Sequence, residues 1–180
     1  MVTVDEFNEV EGAAIRPALL ECCDVPAWAD ALLGARPFPD LDSLLDTSDL
    51  LADTFTREDV DRALAAHPRI GERREGEDRG AAWSREEQSG VAADVETIAS
   101  LASANRLYEK RFGRVFLICA TGLTSQEILN AVLLRLGNDE DTEAKVVATE
   151  LRKIARLRLQ KVVSAGRATI AESATTGESA

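Results

Sequence analysis

The sequence predicts an all-α protein, a single compact and irregular helical bundle of about seven or more helices. Three observations carry this. Capping-box spacings recur at Thr3/Glu6, Ser84/Glu87 and Thr124/Glu127. Apolar residues between the breaks repeat with a helical period, and glycine or proline closes the segments at Gly34/Pro37, Gly113 and Gly137. One short apolar run, "VFLICA", reads equally as an extended segment or a buried turn, and periodicity does not decide between them. At 180 residues the chain suits one domain with a real core. Residues 1–165 are expected to form it, with 166–180, small and polar, as a disordered tail.

The elements follow in order. Thr3 caps a first helix through "DEF". "AAIRPALLECC" is a second, which Pro17 has the means to kink. "VPAWADALLGARP" starts on Pro26, favourable in a first turn. "DLDSLLDTSDLLADTF" and "TREDVDRALAAH" are two short helices, the latter capped by Thr56, with Val60, Ala63 and Leu64 as its buried stripe. Gly71 to Trp83 mixes charges with glycine and reads as a loop. A long helix runs from about Ser84 to Arg111. "TSQEILNAVLLRLGN" opens on its capping box, and the last helix spans about Asp141 to Ser164.

Composition excludes several function classes. A formal charge of -11 repels nucleic-acid phosphates and anionic membrane faces. No stretch is apolar and long enough to span a bilayer, and the first residues lack the pattern of a signal peptide, so a cytoplasmic protein is expected. Three cysteines, two of them adjacent (Cys22 and Cys23), do not form a disulfide framework, and no His/Cys cluster has metal-ligand spacing. No structural metal is expected.

Three residues invite chemistry. His67, the only histidine, precedes Pro68, and a residue before proline is pushed out of the helical region, so it ends its helix at a loop. An imidazole there can move protons near neutral pH, but on residue type alone a histidine resting on the last helical carbonyls is the favoured reading. In "WSREEQSG", Ser84 and Glu87 are accounted for by a capping box. The functional alternative is that Glu87 and Gln88 project from a helix N-terminus into a cleft. Arg158 continues the apolar face Val147, Leu151, Ile154 toward Val162. It points inward to a polar partner or cavity, or snorkels to the edge of the core.

Taken together, "HPRIGE", "WSREEQSG", "NRLYEKRFGRVFLICATG", "EILNAVLLRLGN" and "ELRKIARLRL" occur in an order that resembles the 2-oxo-4-hydroxy-4-carboxy-5-ureidoimidazoline (OHCU) decarboxylases. "DEFN", "CC" and "RPF" near the start also fit, and the resemblance reaches to about Val163. It implies an all-helical, usually homodimeric enzyme of urate degradation. Such an enzyme converts OHCU, a small molecule, to (S)-allantoin and carbon dioxide without metal or organic cofactor. It also implies functional coupling to 5-hydroxyisourate hydrolase and urate oxidase. By motif, His67, Glu87 and Arg158 become the catalytic constellation. Pro68, the run Ser84, Arg85, Glu86, Glu87, Gln88, and the run Phe116, Leu117, Ile118, Cys119, Ala120 become the lining of the substrate site.

These residue types suit the reaction. Loss of carbon dioxide leaves electron density that a neighbouring carbonyl absorbs, and aimed hydrogen-bond donors such as Arg158 or backbone N–H groups stabilise it. A fixed acid, His67, then sets the hand of the product. Glu87 either orients His67 or binds ureido N–H groups. The competing readings are a decarboxylase of a related ureido or imidazolone acid, and an acidic helical interaction protein without turnover.

Overall fold

The structure is a computed structural model that describes residues 1–65, 67, 69–70, 82–83, 86 and 95–164. Among the described residues eight helices account for the fold, with two short strands, as the sequence predicts for the class. The helices are α1 (Val4–Glu9), α2 (Gly12–Cys22), α3 (Pro26–Gly34), α4 (Leu41–Ala52), α5 (Arg57–Ala65), α6 (Val95–Phe112), α7 (Ser125–Arg135) and α8 (Glu140–Val162).

Local chemistry sets most of the boundaries. The boxes at Thr3/Glu6 and Thr124/Glu127 are both complete, each threonine taking a backbone N–H while the glutamate takes the N–H of the cap. Asp40 and Asp139 cap α4 and α8 by accepting from Ser43 and Thr142. Thr56 and Asp59 make the reciprocal pair that starts α5. Pro26 stands in the first turn of α3, where its missing N–H costs nothing. Pro17 lies inside α2, which continues past it to Cys22. Gly113 closes α6 at φ +66, a left-handed turn that a side chain would strain. Gly137 plays a different part from that glycine: a Cβ there would come within 3.3 Å of the Leu134 carbonyl oxygen. The start of the long helix expected from Ser84 lies outside the described residues, as does most of the Gly71–Trp83 loop. Trp83 itself is helical and buried rather than in a loop. The tail 166–180 also lies outside them.

The long helix α8 organises the molecule. It packs against α2, α4 and α5, while α3 lies across α2 and α4, and α6 pairs with α7. A parallel pairing that the sequence did not announce ties Val2–Thr3 (β1) to Val163–Ser164 (β2), so the N-terminus is stitched to the end of α8. No described helix is long and apolar enough to cross a membrane.

The interior divides into two apolar clusters. The larger gathers Phe7, Leu19, Trp28, Leu32, Leu44, Ala63, Leu64 and Trp83 around the α8 stripe Val147, Leu151, Ile154, Leu159 and Val162. The smaller joins Ile70, Leu101, Ala104, Tyr108, Phe112 and Phe116 to Ile128 and Val132 of α7. Two stretches of chain pass from one cluster to the other, 63–70 and 115–120, and both carry candidate site residues.

Candidate active site

α5 carries Ala63 and Leu64 into the larger cluster and ends at Ala65, and His67 follows immediately. The His67 N–H donates to the Leu64 carbonyl at 2.9 Å, closing the helix with one tight turn. Its ring Nδ1 lies 2.9 Å from the Ala63 carbonyl oxygen. A carbonyl only accepts, so Nδ1 carries a proton, and in the neutral form of the ring the lone pair is on Nε2. The helix-end reading of His67 is the one this contact shows. The Nδ1 edge rests on the helix end, and that contact fixes the tautomer of the other edge.

Arg158 is 4% exposed and lies on the buried face of α8. The inward alternative is correct and the snorkelling one is not. Arg158 sits close enough to Cys23 to act on its thiol. Burial pushes that thiol up to about 12, and the Arg158 charge opposes the rise. The turn holding Cys23 is tied to α5, because Arg62 donates to the Asp24 carbonyl and carboxylate, both at 3.2 Å. The α2–α3 turn, the face of α5 and the Arg158 turn of α8 thus meet at one end of the bundle.

Glu86 belongs to the same end. Its exposed carboxylate accepts from Lys161 at 2.7 Å, about one helical turn beyond Arg158. The salt bridge brings the segment of Trp83 and Glu86 onto α8, and Trp83 fills the cluster beneath. Pro68, Ser84, Arg85, Glu87 and Gln88 lie outside the described residues.

The "VFLICA" run forms neither helix nor strand. Its side chains alternate between the two clusters: Val115, Leu117 and Cys119 enter the larger, Phe116, Ile118 and Ala120 the smaller. That two-residue period is the signature of extended chain buried on both faces. Since the side chains serve packing, the run can offer a ligand chiefly its backbone. Charged groups fix that backbone. Arg135 Nη1 donates to the Leu117 carbonyl at 2.8 Å, and the Cys119 N–H donates to Glu150 at 2.8 Å. Arg135 also lies over the Phe116 ring, 4.5 Å from its centroid.

Behind this wall is a buried polar network. Glu143 accepts from Arg135 Nε at 2.9 Å, from Arg135 Nη2 at 2.5 Å, from the Tyr108 hydroxyl at 2.5 Å and from Asn138 at 2.7 Å. Burial and the Glu143 carboxylate push the Tyr108 hydroxyl well above its ordinary range, so it stays a donor. Sequence reasoning passed over Glu143 and Glu150, although the signal was present. The periodicity that places Arg158 on the inner face also places Glu143 one turn before Val147 and Glu150 beside Leu151.

No group of three potential metal ligands occurs among the described residues. With this geometry in place, the comparisons with known proteins are decisive. The family description OHCU decarboxylase matches residues 8–160. This chain belongs to the OHCU decarboxylase family. It is 31% identical over 169 residues to a 2-oxo-4-hydroxy-4-carboxy-5-ureidoimidazoline decarboxylase of Amia calva, covering 90% of each chain. It is 32% identical over 147 residues to a uric acid degradation bifunctional protein of Arabidopsis thaliana, with 79% of this chain covered. The chain spans 45% of that bifunctional relative and 33% of another from Bacillus subtilis. A crystal structure of OHCU decarboxylase in the presence of (S)-allantoin superposes with a TM-score of 0.68 at 29% identity, covering 79% of this chain and 94% of that one. The all-helical fold expected from the family resemblance is the fold observed.

Proposed function

We propose that this chain is a cofactor-independent carboxy-lyase that converts OHCU to (S)-allantoin and carbon dioxide in urate degradation. Membership of the family is one support. The structural support for the reading is an imidazole held on a helix carbonyl, His67, at the end of α5, which packs against α8, together with a buried guanidinium, Arg158, on α8.

The chemistry follows from those groups. The substrate carboxylate leaves C4 as carbon dioxide, and the electron pair passes into the neighbouring ring C5=N bond, conjugated with the 2-oxo group; the nitrogen of that bond then takes a proton from solvent. Arg158, with backbone N–H groups of the Phe116–Ala120 run, stabilises the charge as it develops. His67 Nε2 accepts the proton of the substrate hydroxyl and later returns one to carbon from a single face, which sets the hand of allantoin. Glu87 takes ureido N–H groups or holds His67, and Pro68, Ser84 and Gln88 complete the lining.

The chain is read further as a cytoplasmic homodimer coupled to the enzymes that oxidise urate and hydrolyse 5-hydroxyisourate. Relatives named as bifunctional proteins of uric acid degradation support the coupling. Sedimentation at micromolar concentration tests the dimer. The activity is tested by circular dichroism of allantoin formed from freshly generated OHCU. A persistent (S) signal that appears only with the protein is expected, and a racemic product at the spontaneous rate would overturn the reading.

A further inference from the structure

α5 holds His67 from the N-terminal side, and helix α6 grips the chain on the other side. Asn105 and Glu109 stand one turn apart on α6. Asn105 Nδ2 donates to the Ile70 carbonyl at 2.9 Å in the interior, where Asn105 is only 4% exposed. Glu109 takes Arg69 in a two-point fork, Nε to Oε1 at 2.5 Å and Nη2 to Oε2 at 3.0 Å. The Ile70 side chain is itself buried beside Leu101, Ala104 and Tyr108. Two consecutive residues just beyond His67–Pro68 are therefore pinned to one helix by a backbone bond, a charged fork and apolar packing.

Asn105 is kept at a cost. Its Oδ1 is buried with no hydrogen-bond partner among the described residues. A buried amide that satisfies only its donor is less favourable than an apolar side chain unless the donor has a task. Here the task is to fix the peptide plane of Ile70, which packing of the side chain alone leaves free to rotate. Phe116 lies in the same cluster as Ile70, so the histidine loop and the 115–120 wall share one support.

We propose that Asn105 and Glu109 are positioning residues for His67, with α6 acting as a splint that sets where the imidazole stands relative to substrate. This rests on the reading of His67 as the proton-transfer group. Asn105 and Glu109 act through Ile70 and Arg69. Proton transfer requires the base within about 3 Å of its proton, and displacement by about 1 Å costs on the order of 10²-fold in rate.

The test compares kcat and KM for OHCU in Asn105→Leu, Glu109→Ala and Glu109→Gln, with His67→Asn as reference. In Asn105→Leu and Glu109→Ala, kcat falls about tenfold or more while KM stays within about twofold, because neither side chain is among the substrate-binding groups and proton transfer is far more sensitive to a small displacement of the loop than binding is. Glu109→Gln recovers part of the loss, since a neutral acceptor still takes one N–H of Arg69. Should Asn105→Leu fail to fold, Glu109→Ala decides, because its side chain lies near the surface. Wild-type kcat in folded Glu109→Ala, or a loss confined to KM, would overturn the proposal while His67→Asn remains inactive. Full turnover by His67→Asn would instead overturn the reading of the site, and the splint with it.

Discussion

At the scale of single residues, the fork of Arg158 and the charge of Glu87 are the groups whose chemistry is easiest to isolate. Arg158→Lys keeps the positive charge but loses the planar set of donors. Turnover is expected to fall about tenfold or more, equivalent to roughly 1.4 kcal/mol of lost transition-state stabilisation or beyond. Steady-state kinetics on OHCU checks this, and wild-type turnover in a folded Arg158→Lys protein would reduce Arg158 to a core cation. Glu87→Gln separates a cap from a site residue. A pure cap tolerates glutamine, with a stability change of about 0.3 kcal/mol from the charge lost near a helix start. A site carboxylate does not, and the expected result is a turnover loss of about tenfold or more with little change in melting temperature. Equal activity at matched folding would make Glu87 a cap only. His67 shows why residue type alone was ambiguous: its Nδ1 contact with Ala63 is the ordinary helix-end interaction, and the same contact is compatible with the proton-transfer role proposed for the other edge of the ring.

At the scale of elements, the run Phe116–Ala120 explains an ambiguity in the sequence. A continuous apolar stretch has no period to read, because both of its faces are buried and no polar residue marks an outside. Its backbone is held by groups that arrive from α7 and α8, Arg135 and Glu150. The Arg135–Glu143 pair behind it is almost wholly buried, at side-chain exposures of 10% and 0%. Arg135→Met leaves the Glu143 carboxylate buried without its counter-charge, and the expected cost is about 3–5 kcal/mol. Denaturant unfolding checks it. The double variant Arg135→Met/Glu143→Leu should regain part of the loss, since neither charge is then stranded. An unchanged midpoint in Arg135→Met would show that the pair contributes nothing.

At the scale of the whole molecule, the pH dependence of stability follows from where the titrating groups lie. The carboxyls of Glu6, Asp40, Glu127 and Asp139 are held below their ordinary values by the backbone N–H groups they cap, and Asp30 and Glu109 by the guanidinium groups of Arg16 and Arg69. A lowered carboxyl stabilises the fold above its unfolded value, and that stability is lost as pH falls through the folded one. The Cys23 thiol is the opposite case. Burial raises it from 9.0 to about 12, so the stability it confers is complete below 9.0 and is lost as pH rises toward the higher value. The melting temperature should thus be level through neutrality, fall below about pH 4.5 and fall again above about pH 9. A melting temperature that rises on acidification would contradict the assignment. Trimming the chain after Gly166 should leave folding and turnover nearly unchanged, because the residues removed have no apolar face to bury. A large drop in melting temperature would show that they dock.

What the sequence determined by itself is whatever a few neighbouring residues settle. The capping pairs span three positions and were legible, as were the stripe of α5 and the place of Arg158 in line with the apolar stripe of α8, because a helix repeats its face every three to four residues; that Arg158 is buried there and does not snorkel was not. The order of motifs was legible too, and it led to the family before any geometry was known. The tertiary structure alone decided the pairings across distance: Asn105 with Ile70, Arg135 with Leu117, Glu150 with Cys119, and Val2 with Val163. No local pattern encodes them, since a buried polar group takes its partner from whatever element packs beside it. That choice is made when the two apolar clusters close and unpaired N–H and C=O groups become costly.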